Sequence, residues 1–230
     1  MTMRRKNAWT TYNKKQLDEL EKLCKNYLKF LDKGKTEREC VKQIVKQAEE
    51  KGYVNLADIT KDKKALKAGD KVYSVCMDKT VALFQIGKKK LEKGMNILGA
   101  HIDSPRMDVK QNPLYESEEF AYLDTHYYGG IKKYQWVTLP LALHGVVVKK
   151  DGTVITVNVG EDKNDPVFCV TDLLIHLAGE QMEKKANKVI EGENLDVLVG
   201  SKPLEGKEKD AVKEGILEIL KEKYDMTEED

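Results

Sequence analysis

The sequence predicts an α/β protein in two parts, a mixed α/β region over residues 1–107 and a β-rich region over residues 108–227. Two observations support this division. Apolar residues recur at helical spacing near the N-terminus, and from residue 71 onward they form short runs typical of strands. Beyond residue 110 a glycine turn and a valine-rich hairpin dominate the pattern. The 40% apolar content is sufficient for a core.

The first region opens with two predicted helices. Over residues 12–32 leucines and a tyrosine recur at three- and four-residue steps, and Gly34 is a natural stop. Thr36 and Glu39 have the T-x-x-E spacing of a capping box, which predicts the start of a second helix. That helix is expected to end at Gly52.

Three strands are predicted after the helices. The segments "KVYSVCMD", "TVALFQIG" and "MNILGAHI" are short, apolar or β-branched, and bounded by Gly, Asp or Lys. The third is apolar enough to predict a strand buried on both faces. It would end at His101.

The second region contains a predicted hairpin, a helix, a strand and a final helix. In "LPLALHGVVVKKDGTVITVNVG" the Asp-Gly pair at 151–152 separates two valine-rich runs, as in a hairpin. Pro166 and the Thr-Asp pair at 171–172 are expected to introduce a helix that carries His176. "NLDVLVGS" is a candidate strand, and the last helix is predicted at about 207–224.

Charge and cysteine content exclude several classes of function. The 40 basic and 39 acidic side chains nearly cancel, which removes the usual electrostatic reason to expect nucleic acid or a membrane as partner. The four cysteines form no C-x-x-C pair, so a thiolate zinc site and a disulfide framework are both disfavoured. No stretch has the pattern of a secretory signal or the length of a membrane span, and we expect a cytoplasmic location.

His101 and Asp103 are the candidate site residues. They follow an apolar run and precede a Ser-Pro break, and residues two apart in an extended segment point to the same face. A neutral imidazole is a common metal ligand, and a carboxylate can fix its tautomer. The spacing alone leaves two interpretations open, a metal ligand and a hydrogen-bonded structural histidine.

Three segments resemble one known family. "GAHIDSPRMDVK" resembles the first metal-binding motif of the aspartyl aminopeptidases, which are di-zinc exopeptidases of the cytoplasm. "YYGGIKKYQWVTLPLALHGVVVKKDG" resembles the Y-G-G segment and following strands of that family, and "LLIHLAGE" resembles its I-H-L segment. The three occur in the family's order and cover residues 95–185.

The resemblance implies a fold and roles for three residues. The fold would be part of a three-layer α/β/α metallo-exopeptidase domain, followed by an inserted β-rich domain that forms homo-oligomers. His101 would bind one of two zinc ions per site, and Asp103, at a catalytic position, would support that ligand. His176 would contact the peptide substrate in a neighbouring subunit. The alternative for His176 is the polar face of an ordinary helix.

A complete di-zinc site needs more than these residues, including a bridging carboxylate, a general base and further ligands. After residue 110 no H-x-x-E, D-D or E-E pair matches the family's remaining motifs. The resemblance therefore implies an N-terminal portion of a zinc aminopeptidase that releases N-terminal acidic residues. We expect the 230-residue chain alone to be inactive. The alternatives are a non-catalytic relative acting as an assembly or binding module, and a soluble α/β domain with structural histidines.

Overall fold

The computed structural model describes residues 5–230, which form two compact units divided between Asp103 and Ser104. Among the described residues no helix combines the length and apolar character needed to cross a membrane. Single turns of 3-10 helix occur at Ala8–Thr10, Leu91–Lys93, Lys133–Gln135 and Gly192–Asn194.

The first helix of the first unit, α1, spans Lys14–Lys33. Its N-terminus is closed by a reciprocal pair of hydrogen bonds. The Gln16 amide donates to the Asn13 side chain at 3.0 Å, and the Asn13 amide donates to the Gln16 side chain at 3.0 Å. The helix ends at Gly34, as predicted.

The second helix, α2, spans Glu37–Glu49 and confirms the predicted capping box. The Glu39 amide donates to the Thr36 hydroxyl at 3.3 Å, while the Glu39 carboxylate accepts the Thr36 amide at 3.0 Å. Gly52 lies in the turn that follows, with φ at +82°, a conformation that glycine adopts without strain.

A three-stranded sheet follows the helices in the order β1-β2-β3. Strand β1 (Val54–Asn55) pairs parallel to β2 (Lys71–Cys76), which pairs antiparallel to β3 (Thr80–Gln85). The short helix α3 (Leu56–Lys61) directly follows β1. The first two predicted strands are thus confirmed as β2 and β3.

The third predicted strand is wrong. Residues 95–101 form no regular secondary structure, and Ile97 and Leu98 are 80% and 100% exposed. A strand buried on both faces needs neighbouring strands for its backbone groups and covering layers for its side chains. None of the strands described here pairs with this segment, so its apolar sequence alone does not produce a strand.

The second unit is built on a separate sheet, which is antiparallel throughout. Strands β4 (Arg106–Ser117) and β5 (Phe120–Tyr128) form a long hairpin. Its two-residue turn, Glu118 and Glu119, has φ angles of 50° and 62°, the geometry of a type I′ turn.

The rest of the second unit confirms the predicted hairpin and strand. Strands β6 (Leu143–Val148) and β7 (Val154–Val159) pair across the Asp-Gly turn. After the one-turn helix α4 (Gly179–Met182), strand β8 (Val197–Gly200) joins the sheet beside β5, giving the order β4-β5-β8. The buried core cluster consists of Val137, Phe168, Val170, Ile190, Leu195 and Val197.

The last helix, α5, spans Ala211–Tyr224. It ends where the sequence predicts but begins four residues later than 207, because Asp210 has a left-handed backbone with φ at 50°. The helix packs closely on β8. A Cβ added at Gly200 would lie 2.9 Å from the Ile216 Cδ1 atom.

The predicted helix carrying His176 is wrong. Residues 175–177 form a turn, and helix α4 begins only at Gly179. Leu173, Leu174 and Leu177 are all exposed rather than packed on a core. A helix of this length depends on burying one apolar face, and this segment buries none.

Candidate functional site

The structure brings His101 and Asp103 together. The His101 Nδ1 atom lies 3.0 Å from the backbone carbonyl oxygen of Asp103 and 3.2 Å from its carboxylate Oδ1. The imidazole is 84% exposed and the carboxylate is about half as exposed, at 41%. His101 and Asp103 therefore contact each other at the surface, although neither residue lies in a strand.

This geometry fixes the hydrogen-bonding roles of the imidazole. Both partners of Nδ1 are oxygen acceptors, so Nδ1 must carry the proton and donate. In the neutral ring the lone pair is then on Nε2, which is the atom available to a metal ion. A carboxylate that holds the other ring nitrogen is the usual support of a histidine metal ligand.

Helix α2 anchors the residue between the two site residues. The Cys40 Sγ atom lies 3.8 Å from the carbonyl oxygen of Ile102 and 3.5 Å from that of Gly34. Burial raises the pKa of the Cys40 thiol, and the nearby carboxylates Glu39 and Glu37 raise it further. The thiol is therefore kept neutral, and its single proton is weakly shared between the two carbonyl oxygens.

The described residues do not complete a metal site. Within residues 5–230 no three or more His, Cys, Asp or Glu side chains are grouped so that they can hold a metal ion. Structural and catalytic zinc sites use three or four protein ligands. His101 with Asp103 fits one zinc ligand and its support, and among residues 5–230 no further pair of such side chains is grouped with them.

His176 lies in the second unit, within an exposed apolar segment. Its turn at residues 175–177 is bounded by Asp172, whose carboxylate accepts the Leu173 amide at 2.8 Å and the Gln181 side-chain amide at 2.9 Å. His176 itself is exposed and lies in a turn. It is therefore not on the polar face of a helix, which was the alternative interpretation from the sequence.

The sequence did not indicate the polar network between β4, β5 and β8. The Tyr115 hydroxyl donates to the Asp196 carboxylate at 2.6 Å, and that carboxylate also accepts the Thr125 amide at 3.4 Å. Burial, followed by the Asp196 carboxylate, raises the pKa of Tyr115. The available signal was a lone Asp beside the apolar run 197–200, and in the structure Asp196 directly precedes β8 and connects it to β4 and β5.

Comparison with known proteins identifies the family. Residues 30–230 match the family described as aminopeptidase I zinc metalloproteases (M18). The chain belongs to the M18 family. A probable M18 family aminopeptidase 1 of Clostridium acetobutylicum is 60% identical over 226 residues, which are 98% of this chain and 49% of that protein.

Solved structures agree with this assignment. The crystal structure of the M18 aminopeptidase of Thermotoga maritima is 45% identical, with a TM-score of 0.91 over 100% of this chain and 49% of that chain. A dodecamer from S. cerevisiae shares the fold at 18% identity, with a TM-score of 0.63 over 92% of this chain and 46% of that chain. The chain thus spans about half the length of the relatives it matches.

Proposed function

We propose that this chain is the N-terminal portion of a zinc aminopeptidase that removes N-terminal residues, preferentially acidic ones, from peptides. The observation that supports this most is the orientation of His101 in an M18 chain. Its Nδ1 is held by Asp103 and its Nε2 is left for a metal ion. The acidic preference rests on the resemblance of the motifs to the aspartyl aminopeptidases.

Each residue of the pair has a separate role in this proposal. His101 binds one of two zinc ions through Nε2. Asp103 holds the imidazole in the correct tautomer and makes it a stronger donor. When bound, zinc polarises the scissile carbonyl group and activates water. The other ligands and the general base come from residues outside those described, so residues 5–230 alone release no N-terminal residue.

The second unit supplies the oligomer contacts and His176 in this proposal. Residues 1–107 belong to a three-layer α/β/α catalytic domain, and residues 108–227 form the inserted β-rich domain. Several apolar side chains around His176 are exposed, which is typical of a surface that contacts another subunit. A homo-oligomer would carry His176 to the peptide substrate of a neighbouring subunit, in a cytoplasmic protein.

A second candidate function is a non-catalytic assembly or binding module. It is favoured by one observation, the lack of a group of three metal-ligating side chains among residues 5–230. The intact His101–Asp103 pair argues against it, because a binding module needs neither the imidazole nor its carboxylate support. The two functions differ in whether His101 matters for hydrolysis.

A single-chain chimera tests the proposed function. In the C. acetobutylicum relative, the 226 aligned residues are replaced by those of this chain, and hydrolysis of peptides with N-terminal Asp, Glu, Leu or Lys is measured with and without zinc. We expect zinc-dependent release that is fastest for Asp and Glu. His101→Ala should abolish it, Asp103→Asn should reduce it about 10–100-fold, and His126→Ala, at an exposed position on β5, should leave it unchanged. An active His101→Ala chimera would contradict the proposal.

A further inference from the structure

Helix α2 is held against the β1-β2-β3 sheet near both of its ends. Close to its N-terminus, the Arg38 guanidinium donates to the carbonyl oxygen of Met77, in the turn between β2 and β3, at 3.0 Å. At its C-terminus, the Glu49 carboxylate accepts the hydroxyl of Tyr73 on β2 at 2.7 Å. Cys40 lies between these two contacts and is only 5% exposed. Helix α2 is therefore a fixed support for the groups that Cys40 contacts.

The stretch of chain that leads to His101 is exposed along its whole length. Residues 87–101 are all exposed, and their only regular structure is the single 3-10 turn at Leu91–Lys93. Ile102 is the first partly buried residue after this stretch. Its carbonyl oxygen lies 3.8 Å from the Sγ atom of Cys40 on α2. The candidate site thus lies where an exposed segment first contacts a fixed helix.

The Cys40 thiol fits closely between two backbone carbonyl groups. Besides the oxygen of Ile102, its Sγ atom contacts that of Gly34, at 3.5 Å. A Cβ atom built on Gly34 would lie 2.9 Å from this sulfur, so the glycine leaves the space that the sulfur fills. A neutral thiol can donate its proton to a carbonyl oxygen, and a thiolate cannot. The raised pKa of Cys40 keeps the thiol in the form that donates.

We propose that Cys40 is a positioning residue for the metal ligand His101, because its thiol holds the backbone at Ile102 against α2. The His101 Nδ1 atom bonds both to the backbone carbonyl of Asp103 and to its carboxylate, so the orientation of the imidazole depends on the backbone between them. A ligand that is already held in place loses less conformational freedom when the metal binds. The inference rests on the proposed function, since it concerns the same zinc ligand.

Zinc affinity of the single-chain chimera with the C. acetobutylicum relative tests the inference. It is measured by competition with a chelator in Cys40→Ala, Cys40→Ser and Cys40→Val. Alanine removes the donor, serine keeps a donor, and valine fills the space without one. We expect zinc to bind about threefold to tenfold more weakly in the alanine and valine variants, from the loss of one hydrogen bond, and nearly as in the parent in the serine variant. Cys76→Ala, at an exposed cysteine on β2, is the matched control and should leave the affinity unchanged.

Cobalt(II) in place of zinc gives a second measurement, because its visible absorption reports the geometry of its ligands. Cys40→Ala should alter the visible spectrum, and Cys76→Ala should not. A near-ultraviolet cobalt–thiolate band that is lost in Cys40→Ala would overturn the inference, because Cys40 would then be a ligand itself.

Other outcomes separate positioning from a merely structural role. Full zinc affinity in Cys40→Val would overturn the inference, because packing alone would then be sufficient. Lower stability to urea in Cys40→Ala, with unchanged zinc affinity and cobalt spectrum, would overturn it as well. If Cys40→Ala does not fold, the difference between Cys40→Ser and Cys40→Val decides.

His101→Ala distinguishes failure of the inference from failure of the proposed function. If His101→Ala weakens zinc binding and Cys40→Ala does not, only the inference fails. If His101→Ala itself leaves zinc binding unchanged, the proposed function fails and the inference fails with it.

Discussion

Glu116 on β4 provides the cap of helix α5, and its substitution should measurably destabilise the second unit. Its Oε2 atom accepts the amides of Val212 at 2.9 Å and Lys213 at 2.8 Å. The first amides of a helix lack partners within the helix. Asp210, at the N-cap position, makes no side-chain capping bond, so the carboxylate of a residue distant in sequence replaces the local cap.

The structure sets the size of the expected effect. Glu116→Ala removes the acceptor of two partly buried amides, which costs about 1–3 kcal/mol in the free energy of unfolding. Glu116→Gln keeps an acceptor oxygen but removes the negative charge at the positive end of the helix dipole, so its cost should be smaller, about 0.3–1 kcal/mol.

Urea unfolding monitored by circular dichroism measures both variants. Glu222→Ala, an exposed change on the same helix, is the control and should lie within about 0.5 kcal/mol of the parent chain. The reasoning is refuted if Glu116→Ala is as stable as Glu222→Ala, since the contact between β4 and α5 would then contribute nothing.

Three further predictions concern the core, a tyrosine and a thiol. Leu195→Ala, at a completely buried position, should lower the free energy of unfolding by about 2–5 kcal/mol, and a loss below 1 kcal/mol in urea unfolding would contradict the assigned core. Burial, followed by the Asp196 carboxylate, raises the pKa of Tyr115, so the neutral phenol in this environment stabilises the fold fully below the unfolded pKa near 10, and that stabilisation is lost as pH rises through the folded pKa. The unfolding free energy should therefore fall less steeply above pH 10 in Tyr115→Phe than in the parent, and equal slopes would count against the raised pKa of the buried Tyr115 hydroxyl. Cys40 is buried and the pKa of its thiol is raised, so it should react with a disulfide reagent more than about tenfold more slowly than the exposed Cys76. Variants that each retain a single cysteine allow the two rates to be compared. Equal rates would contradict the prediction.

The elements predicted correctly are those fixed by local chemistry. The Thr36–Glu39 capping box and the glycine that ends α1 depend only on residues within a few positions of each other. The Asp-Gly pair of the β6–β7 hairpin is equally local. The hydrogen bond between His101 and Asp103 belongs to the same class, because it joins residues two apart.

The errors concern elements whose state depends on distant partners. The segment 95–101 has the composition of a buried strand, but no described strand pairs with it. The segment around His176 has leucines but no face to bury them against. The β4–β5 hairpin was not predicted, because its turn consists of Glu118 and Glu119. Both residues have left-handed φ angles, and in hairpin turns Asn-Gly or Asp-Gly normally occupies such positions.

Zinc content is the most direct test of the central claim, that His101 is a metal ligand supported by Asp103. In the single-chain chimera with the C. acetobutylicum relative, elemental analysis should give two zinc ions per polypeptide. His101→Ala should lower that content by one ion, while His126→Ala should keep both. An unchanged zinc content in the His101→Ala chimera would contradict the account.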